Sequence, residues 1–352
     1  MTDATVYFVV PDGIDDVERV SGGNVYDQRI RDELRARGLD VRMVLVPAGR
    51  ARDLTDAVSL IPHDSLVLID GLIAVAASGV LDAHSARLRI VVLAHMVASG
   101  MPGTPAGTGE REREALHAAR RVITTSEWTR SELIAQALAE PGRITVARPG
   151  TDAAPAASGS TSGGRLLCVG TVAAHKGQDV LVDALAGMTD LSGWTCSMVG
   201  SLTAEPGFVV QVAAAIGSAG LTERIALMGV LTDRPLADAY NSADLVVAPS
   251  RDESYGMVVA EALARGIPVV ATRVGGIPEA IADSRAGILI PSNDPWALRV
   301  VLRQWWEDTG RRAELKAEAL RSRTAARGWD ETAGIVAAAL SECRPAVGSA
   351  AG

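Results

Sequence analysis

The chain has 352 residues, 48% of them hydrophobic but only 3% aromatic, with 34 basic against 42 acidic side chains and a net charge of −8. That length suits two domains with cores of Ala, Val, Leu and Ile, the composition of parallel sheets covered by helices, and the acidic balance excludes a general nucleic-acid footprint. Cys168, Cys196 and Cys343 are too few and too unevenly spaced for a disulfide framework or a structural zinc site, and no apolar run is long enough to span a bilayer.

The start, MTDA, runs into TVYFVV without the basic segment of a signal peptide, so a cytoplasmic protein is expected, with peripheral membrane contact left open. A strand over residues 5–10 leads through PDGIDD to Ser21-Gly22-Gly23-Asn24 and a helix over 25–37, with Ile30 and Leu34 on its apolar face and Gly38 as its cap. The Gly pair lets a ligand approach the backbone or makes a plain strand-to-helix turn; it lacks the spacing of the dinucleotide fingerprint. Strands follow at 41–46 and 66–69, separated by a polar loop, and the second ends in Asp70-Gly71 before a short helical segment, 72–77. A fourth strand, 89–94, ends on His95, a residue type suited to a directed hydrogen bond or proton transfer and set where parallel sheets bind ligands. The Gly/Pro loop 97–109 reads as a flap that carries specificity or a disordered surface loop. A helix over 110–120 and a strand over 122–125 lead to Ser126, an N-cap or a cleft residue, and to Arg130; a last strand, 144–147, closes the first sheet.

Residues 153–164, AAPAASGSTSGG, contain only small residues and one Pro, and mark a flexible or extended connection between domains. The alternation then restarts with a strand at 165–169, Thr171, and His175-Lys176-Gly177 before a helix over 178–186. Lys176, after a strand and at a helix start, is placed for a point-charge contact to phosphate. Strands at 194–199 and 225–228, helices at 207–216 and 236–241, a final strand at 288–290 and helical periodicity over 295–305, 312–324 and 330–340 complete the pattern.

The stretch 244–280, DLVVAPSRDESYGMVVAEALARGIPVVATRVGGIPEA, carries the chemistry. A strand at 245–248 ends in a polar loop with Glu253, and a helix from about Gly256 to Ala264 follows before a strand at 267–271. The free amides at a helix start attract anions, phosphate above all. Glu253 and Glu261 bracket that start with seven residues between them. A carboxylate beside a phosphate repels it, so these two suit hydroxyls instead.

A Glu, seven residues, a second Glu, then GIPVVAT and VGGIPE resembles the donor-site signature of the family-4 retaining glycosyltransferases of the GT-B fold. The resemblance implies that Glu253 holds hydroxyls of a donor sugar, Glu261 holds the nucleotide ribose, and the amides of Gly256, Met257 and Val258 hold the pyrophosphate and sugar. It places Gly22 and Gly23, with Asn24, at a loop facing the diphosphate and acceptor, His95 beside the donor sugar, Lys176 on the diphosphate and Leu231 at the base. The last helix would brace the N-terminal domain. Two departures stand out: Thr171 takes the place of an Arg, so that one positive diphosphate contact is either missing or supplied from elsewhere, as by His175 or an Arg such as Arg273, and Pro149-Gly150 replaces a more usual Asn-Gly.

The implied architecture is α/β: two Rossmann-like domains with parallel sheets facing across a cleft. Residues 1–152 form the N-terminal, acceptor-side domain, 153–164 the linker, 165–325 the nucleotide-sugar-binding domain, 326–341 the bracing helix and 342–352 a flexible tail. The expected reaction moves a sugar from a UDP- or GDP-sugar to an unidentified acceptor (small natural product, glycan, lipid or protein) with retention of configuration. His95, Lys176 and Glu253 are the expected catalytic residues. No strand-end Asp-any-Asp triplet is present, so neither metal nor cofactor is expected. The alternatives are a nucleotide-sugar epimerase on a related two-domain fold and a non-catalytic nucleotide- or carbohydrate-binding protein; a nicotinamide dehydrogenase is disfavoured by the missing GxGxxG turn.

Overall fold

The computed structural model describes residues 5–47, 51–101, 103–282 and 284–343. Packing divides them into two compact units, one of residues 5–15, 23–150 and 329–343, the other of 16–22 and 151–328.

Unit 1 is built on six parallel strands: β1 Thr5–Pro11, β2 Asp40–Val46, β3 Leu66–Asp70, β4 Arg89–Ala94, β5 Arg121–Thr124 and β6 Ile144–Val146. Their order is β2-β1-β3-β4-β5-β6. All five residues of β3 are buried and β4 is buried after its first residue, which is why both read as continuous apolar runs with no alternation. The strand order reverses direction between β1 and β3, so the loops leaving those two strands diverge and open a crevice at their carboxyl ends. The helix Trp329–Glu342 belongs to this unit: Trp329 packs edge-on against Tyr26, and the Thr332 hydroxyl donates to Arg148 O at 2.7 Å.

Unit 2 holds β7 Arg165–Val169, β8 Thr195–Val199, β9 Ile225–Leu227, β10 Leu245–Ala248, β11 Val269–Thr272 and β12 Gly287–Ile290, all parallel in the order β12-β11-β10-β7-β8-β9. Here the reversal falls between β7 and β10, so the loops carrying Lys176 and Glu253 leave the two sides of one switch point. Cys168 and Cys196 are buried in this unit's core.

Several local expectations change. Gly22 and Gly23 are the first residues of the helix Gly22–Ala36 rather than part of a loop before it. Helix Ala51–Ser59 stands where a polar loop was expected, and helix Ser78–His84 adds to the short helical segment expected at 72–77. The small-residue connection is extended but is no free tether. Ser160 N and Oγ and Arg165 N all donate to buried Asp244, and Ala157 N donates to Arg265 O. Loop 97–109, Pro102 aside, is also tied down: Glu112, 2% exposed, accepts from Ala98 N, Ser99 N and Ser99 Oγ at 2.6–2.8 Å. At the far end Glu342 closes the last helix and Cys343 is buried; residues 344–352 of the expected tail lie outside the described residues. Among the described residues no helix is long and apolar enough to cross a membrane.

Candidate active site

In unit 2 the structure brings Lys176, Glu253, Gly256 and Val258 to one pocket, together with Gln178, Ser250 and the ends of β7 and β10. Lys176 Nζ donates to Glu253 Oε2 at 2.7 Å, both side chains being about one-quarter to one-fifth exposed. Close backbone packing sets this pair. A Cβ at Gly177 would lie 2.2 Å from Pro249 O, so only glycine lets the loop after β7 lie against the loop after β10. A Cβ at Gly275 would lie 1.7 Å from Glu253 O, and Gly276 N donates to that oxygen at 3.0 Å. The GG of VGGIPE is thus the seat on which Glu253 rests. Arg251 adds a clamp, pairing with both oxygens of Asp179 at 2.7–2.8 Å while donating to Ala174 O.

The helix Met257–Ala264 starts from Gly256, whose φ is 95°, so the Met257 and Val258 amides sit at its open end. One turn on, Glu261 Oε2 accepts from the buried Tyr240 hydroxyl at 2.8 Å, and the Arg265 guanidinium lies 4.5 Å over the Tyr240 ring. Leu231 packs against the core of this unit and, like Met257 and Glu261, does not line the pocket. Thr171 O accepts from Gln178 Nε2 at 2.9 Å. Burial first, then the charge of Lys176, hold the His175 imidazole below its ordinary value, so in the free protein it is neutral near pH 7. Arg273 is exposed and away from the pocket lining. Gln178 Oε1 is the one buried side-chain oxygen or nitrogen without a partner among the described residues, and its side chain lines this pocket.

In unit 1 His95 directly follows β4. Its Nε2 lies 2.9 Å from Asp27 Oδ1 and 3.5 Å from Asp70 Oδ2, the Tyr26 ring stands edge-on at 5.3 Å, and its carbonyl accepts from the Thr125 hydroxyl. Gly23 belongs to the same constellation, since a Cβ there would lie 3.4 Å from His95 Cδ2. Asp70 also caps the next helix, accepting from Leu72 N and Ile73 N. Burial, then the charge of Asp27, raise the Asp70 carboxyl to about 6 against the opposing pull of His95 and the two amides. For His95, burial lowers the imidazole, but the charge and hydrogen bond of Asp27 and the charge of Asp70 outweigh it and leave it above its ordinary value. Ligand atoms of these three residues all lie within 4.8 Å of one another, close enough to surround an ion, but the direct Nε2–Oδ1 contact places a proton between them. Ser126 is an N-cap, its Oγ accepting from Thr129 N, and Arg130 lies 3.5 Å from Glu127.

Sequence reasoning missed Asp27, Asp70, Tyr240 and Gln178. Asp27 left a usable signal: with Ile30 and Leu34 it falls on the apolar face of its helix, and a carboxylate buried there must have a partner. Gln178 and Tyr240 left none, because their partners are fixed only by tertiary packing.

Residues 163–308 match the family "Glycosyl transferases group 1". The chain is 32% identical over 279 residues to the D-inositol 3-phosphate glycosyltransferase of Kineococcus radiotolerans, covering 71% of this chain and 63% of that protein. It is 34% identical over 228 residues to that of Mycolicibacterium gilvum, covering 61% and 51%. The chain thus spans about half to three-fifths of the length of these curated relatives. Among solved structures it resembles sucrose-phosphate synthase from Thermosynechococcus elongatus, with a TM-score of 0.80 at 18% identity over 96% of this chain and 98% of that one. It likewise resembles Anabaena HepE in complex with UDP-glucose, with a TM-score of 0.74 at 18% identity over 96% and 99%.

Proposed function

We propose that this chain, a homologue of the family-4 glycosyltransferases with the GT-B fold, transfers a sugar from a nucleotide-sugar donor to a hydroxyl of an acceptor with retention of configuration. The observation that carries the reading is the Lys176–Glu253 ion pair at the unit 2 switch point, beside the open helix end at Gly256. A cation and a carboxylate that neutralise each other in the free protein suit a ligand that carries both partners: a diphosphate to take Lys176 and sugar hydroxyls to take Glu253. The first-turn amides of Met257 and Val258 add fixed partial positive charge for the pyrophosphate, and Glu261, held by Tyr240, is the proposed ribose ligand.

In the step itself the bond from sugar C1 to the diphosphate oxygen breaks and a bond from C1 to the acceptor oxygen forms on the same face. The acceptor proton passes to the leaving diphosphate. Lys176 and the helix amides stabilise the charge that grows on that leaving group, and His95 is proposed to hydrogen-bond a hydroxyl of the ligand. The donor would be a UDP- or GDP-sugar, bound without metal and met in the cytoplasm. The relatives' acceptor, D-inositol 3-phosphate, is the first candidate acceptor, ahead of glycans, lipids and other small natural products.

A mass-spectrometric screen of nucleotide sugars against mixed acceptors, with proton NMR of the product's anomeric carbon, tests this. One added sugar with the donor's anomeric configuration supports it. Sugar released only to water, an isomerised donor, or an inverted product would overturn it, the isomerised donor favouring an epimerase.

A further inference from the structure

Both carboxylates of the unit 1 cluster lie on the same nitrogen of His95. Asp27 Oδ1 is 2.9 Å and Asp70 Oδ2 3.5 Å from Nε2, and both acids are buried. The other ring nitrogen, Nδ1, has no hydrogen-bond partner among the described residues, yet it is not one of the partnerless atoms sealed from solvent, of which Gln178 Oε1 is the single case. Nδ1 is therefore not fully sealed from solvent, and His95 is among the residues that line a small pocket with Leu72, Val75, Met96 and Glu112. The ring is also held in place, with Gly23 against its Cδ2 edge and Tyr26 edge-on.

We propose that Asp27 is a positioning residue for His95: its bond to Nε2 fixes the ring and keeps a proton on that nitrogen, so that Nδ1 is the nitrogen offered to the ligand. A carboxylate beside one ring nitrogen sets the tautomer at the other. In the neutral ring Nδ1 then accepts from a hydroxyl of the sugar or acceptor, and in the cationic ring it donates. The same helix that begins at Gly22 delivers Asp27, so the glycine start and the orientation of the imidazole are mechanically one device. Asp70 is farther from the ring and already spends Oδ1 on the Leu72 and Ile73 amides, which makes it the secondary charge.

The groups that face the ring are Asp27 and Tyr26 from the helix and Asp70 from the end of β3, with Glu112 at the pocket wall. Tyr26 donates its hydroxyl to Ala147 O, and burial followed by the charge of Asp27 keeps it protonated. Glu112 is committed to Ala98 and Ser99. The titration of His95 is thus governed by the two aspartates.

The catalytic consequence rests on the function proposed above, but the tautomer is a property of the free protein and can be read without substrate. Nitrogen–proton correlation spectra of the full chain labelled with ¹⁵N-histidine, recorded in chelator from pH 5 to 9, would decide it, with His95→Gln assigning the signal. The wild type should show a protonated Nε2 and an unprotonated Nδ1 above a midpoint higher than that of an ordinary histidine. Asp27→Asn should lower the midpoint by roughly one pH unit and mix the tautomers, and Asp27→Glu should restore both. Turnover in Asp27→Asn should fall about 10-fold or more while affinity for a nucleoside diphosphate holds. A wild-type ring protonated at Nδ1, or a midpoint and tautomer unmoved in Asp27→Asn, would overturn the proposal. The wild-type spectrum decides the tautomer even where a variant does not fold. The expected tautomer in a protein that transfers no sugar would leave this assignment standing and defeat the transferase reading instead.

Discussion

Lys176 and Glu253 sit 2.7 Å apart, so a donor must separate them before it can use them. On the proposed reading, removing the lysine does two things: it deletes the charge offered to the diphosphate and leaves Glu253 as a bare carboxylate beside it. Lys176→Ala should lower turnover by roughly 10²-fold or more and weaken nucleoside diphosphate binding as well, whereas a lysine merely solvated at the surface would change neither; steady-state kinetics with a donor titration separates the two. A second prediction concerns Asp70, whose carboxyl is raised to about 6 from an ordinary 3.8. Below 3.8 folded and unfolded chains both hold the proton; between 3.8 and about 6 only the folded chain does. Its contribution to stability is therefore complete below 3.8 and is lost as the pH rises through 6, by at most about 3 kcal/mol. The raised His95 loses its contribution in the same direction, above its ordinary 6.5. Urea unfolding of Asp70→Asn at pH 4, 5, 6 and 7 should show a flatter profile than wild type across that window, and an unchanged slope would mean that Asp70 is not protonated in the fold.

The extended segment 153–164 shows how one side chain can fix an element. Asp244, fully buried, accepts from Ser160 N, Ser160 Oγ and Arg165 N and pairs with Lys316 Nζ at 2.9 Å. These bonds hold the carboxyl below its usual range even though burial, the largest influence, works against them. Asp244→Ala strands two amides, a hydroxyl and a partly buried ammonium, and should cost about 2–4 kcal/mol of stability by denaturant unfolding; a loss under about 0.5 kcal/mol would show that the segment is tied by other contacts. At the sequence level this segment reads as a tether because small residues carry no periodicity, and the acid that anchors it lies some eighty residues away. The strands were legible, since buried parallel strands of Val, Ile and Leu bounded by Gly and Pro leave a strong local pattern. The helix Ala51–Ser59 was not, although Leu54 and Val58 have helical spacing and are buried, because its nine residues carry only those two large apolar side chains among charged and small ones.

At the scale of the whole molecule the two strand orders determine where chemistry can occur. In unit 2 the reversal between β7 and β10 is what brings Lys176 and Glu253 together from positions 77 residues apart, and in unit 1 the strand ends place Asp70 beside His95. Of the residues that line the unit 2 pocket, Glu253, Gly256 and Val258 stood out in the sequence because they cluster in one motif. Asp27 left a sequence signal on the apolar face of its helix, but its pairing with His95 did not show, and Tyr240 left no signal at all, because contacts between distant residues leave no local pattern. The resemblance led to an expectation that the last helix braces the N-terminal domain, but only the fold shows that Trp329 meets Tyr26. The proposed donor site makes a claim that a single calorimetric series can check. UDP, GDP and their sugars are titrated in chelator into wild type, Glu253→Ala and Glu261→Ala. Wild type should bind a nucleoside diphosphate and its sugar without metal; Glu261→Ala should weaken both ligands alike, and Glu253→Ala should spare the free diphosphate while weakening the nucleotide sugar. No binding by the wild type, binding that requires Mg²⁺, or equal losses for both ligands in both variants would contradict a donor site built on Glu253, Glu261 and Lys176.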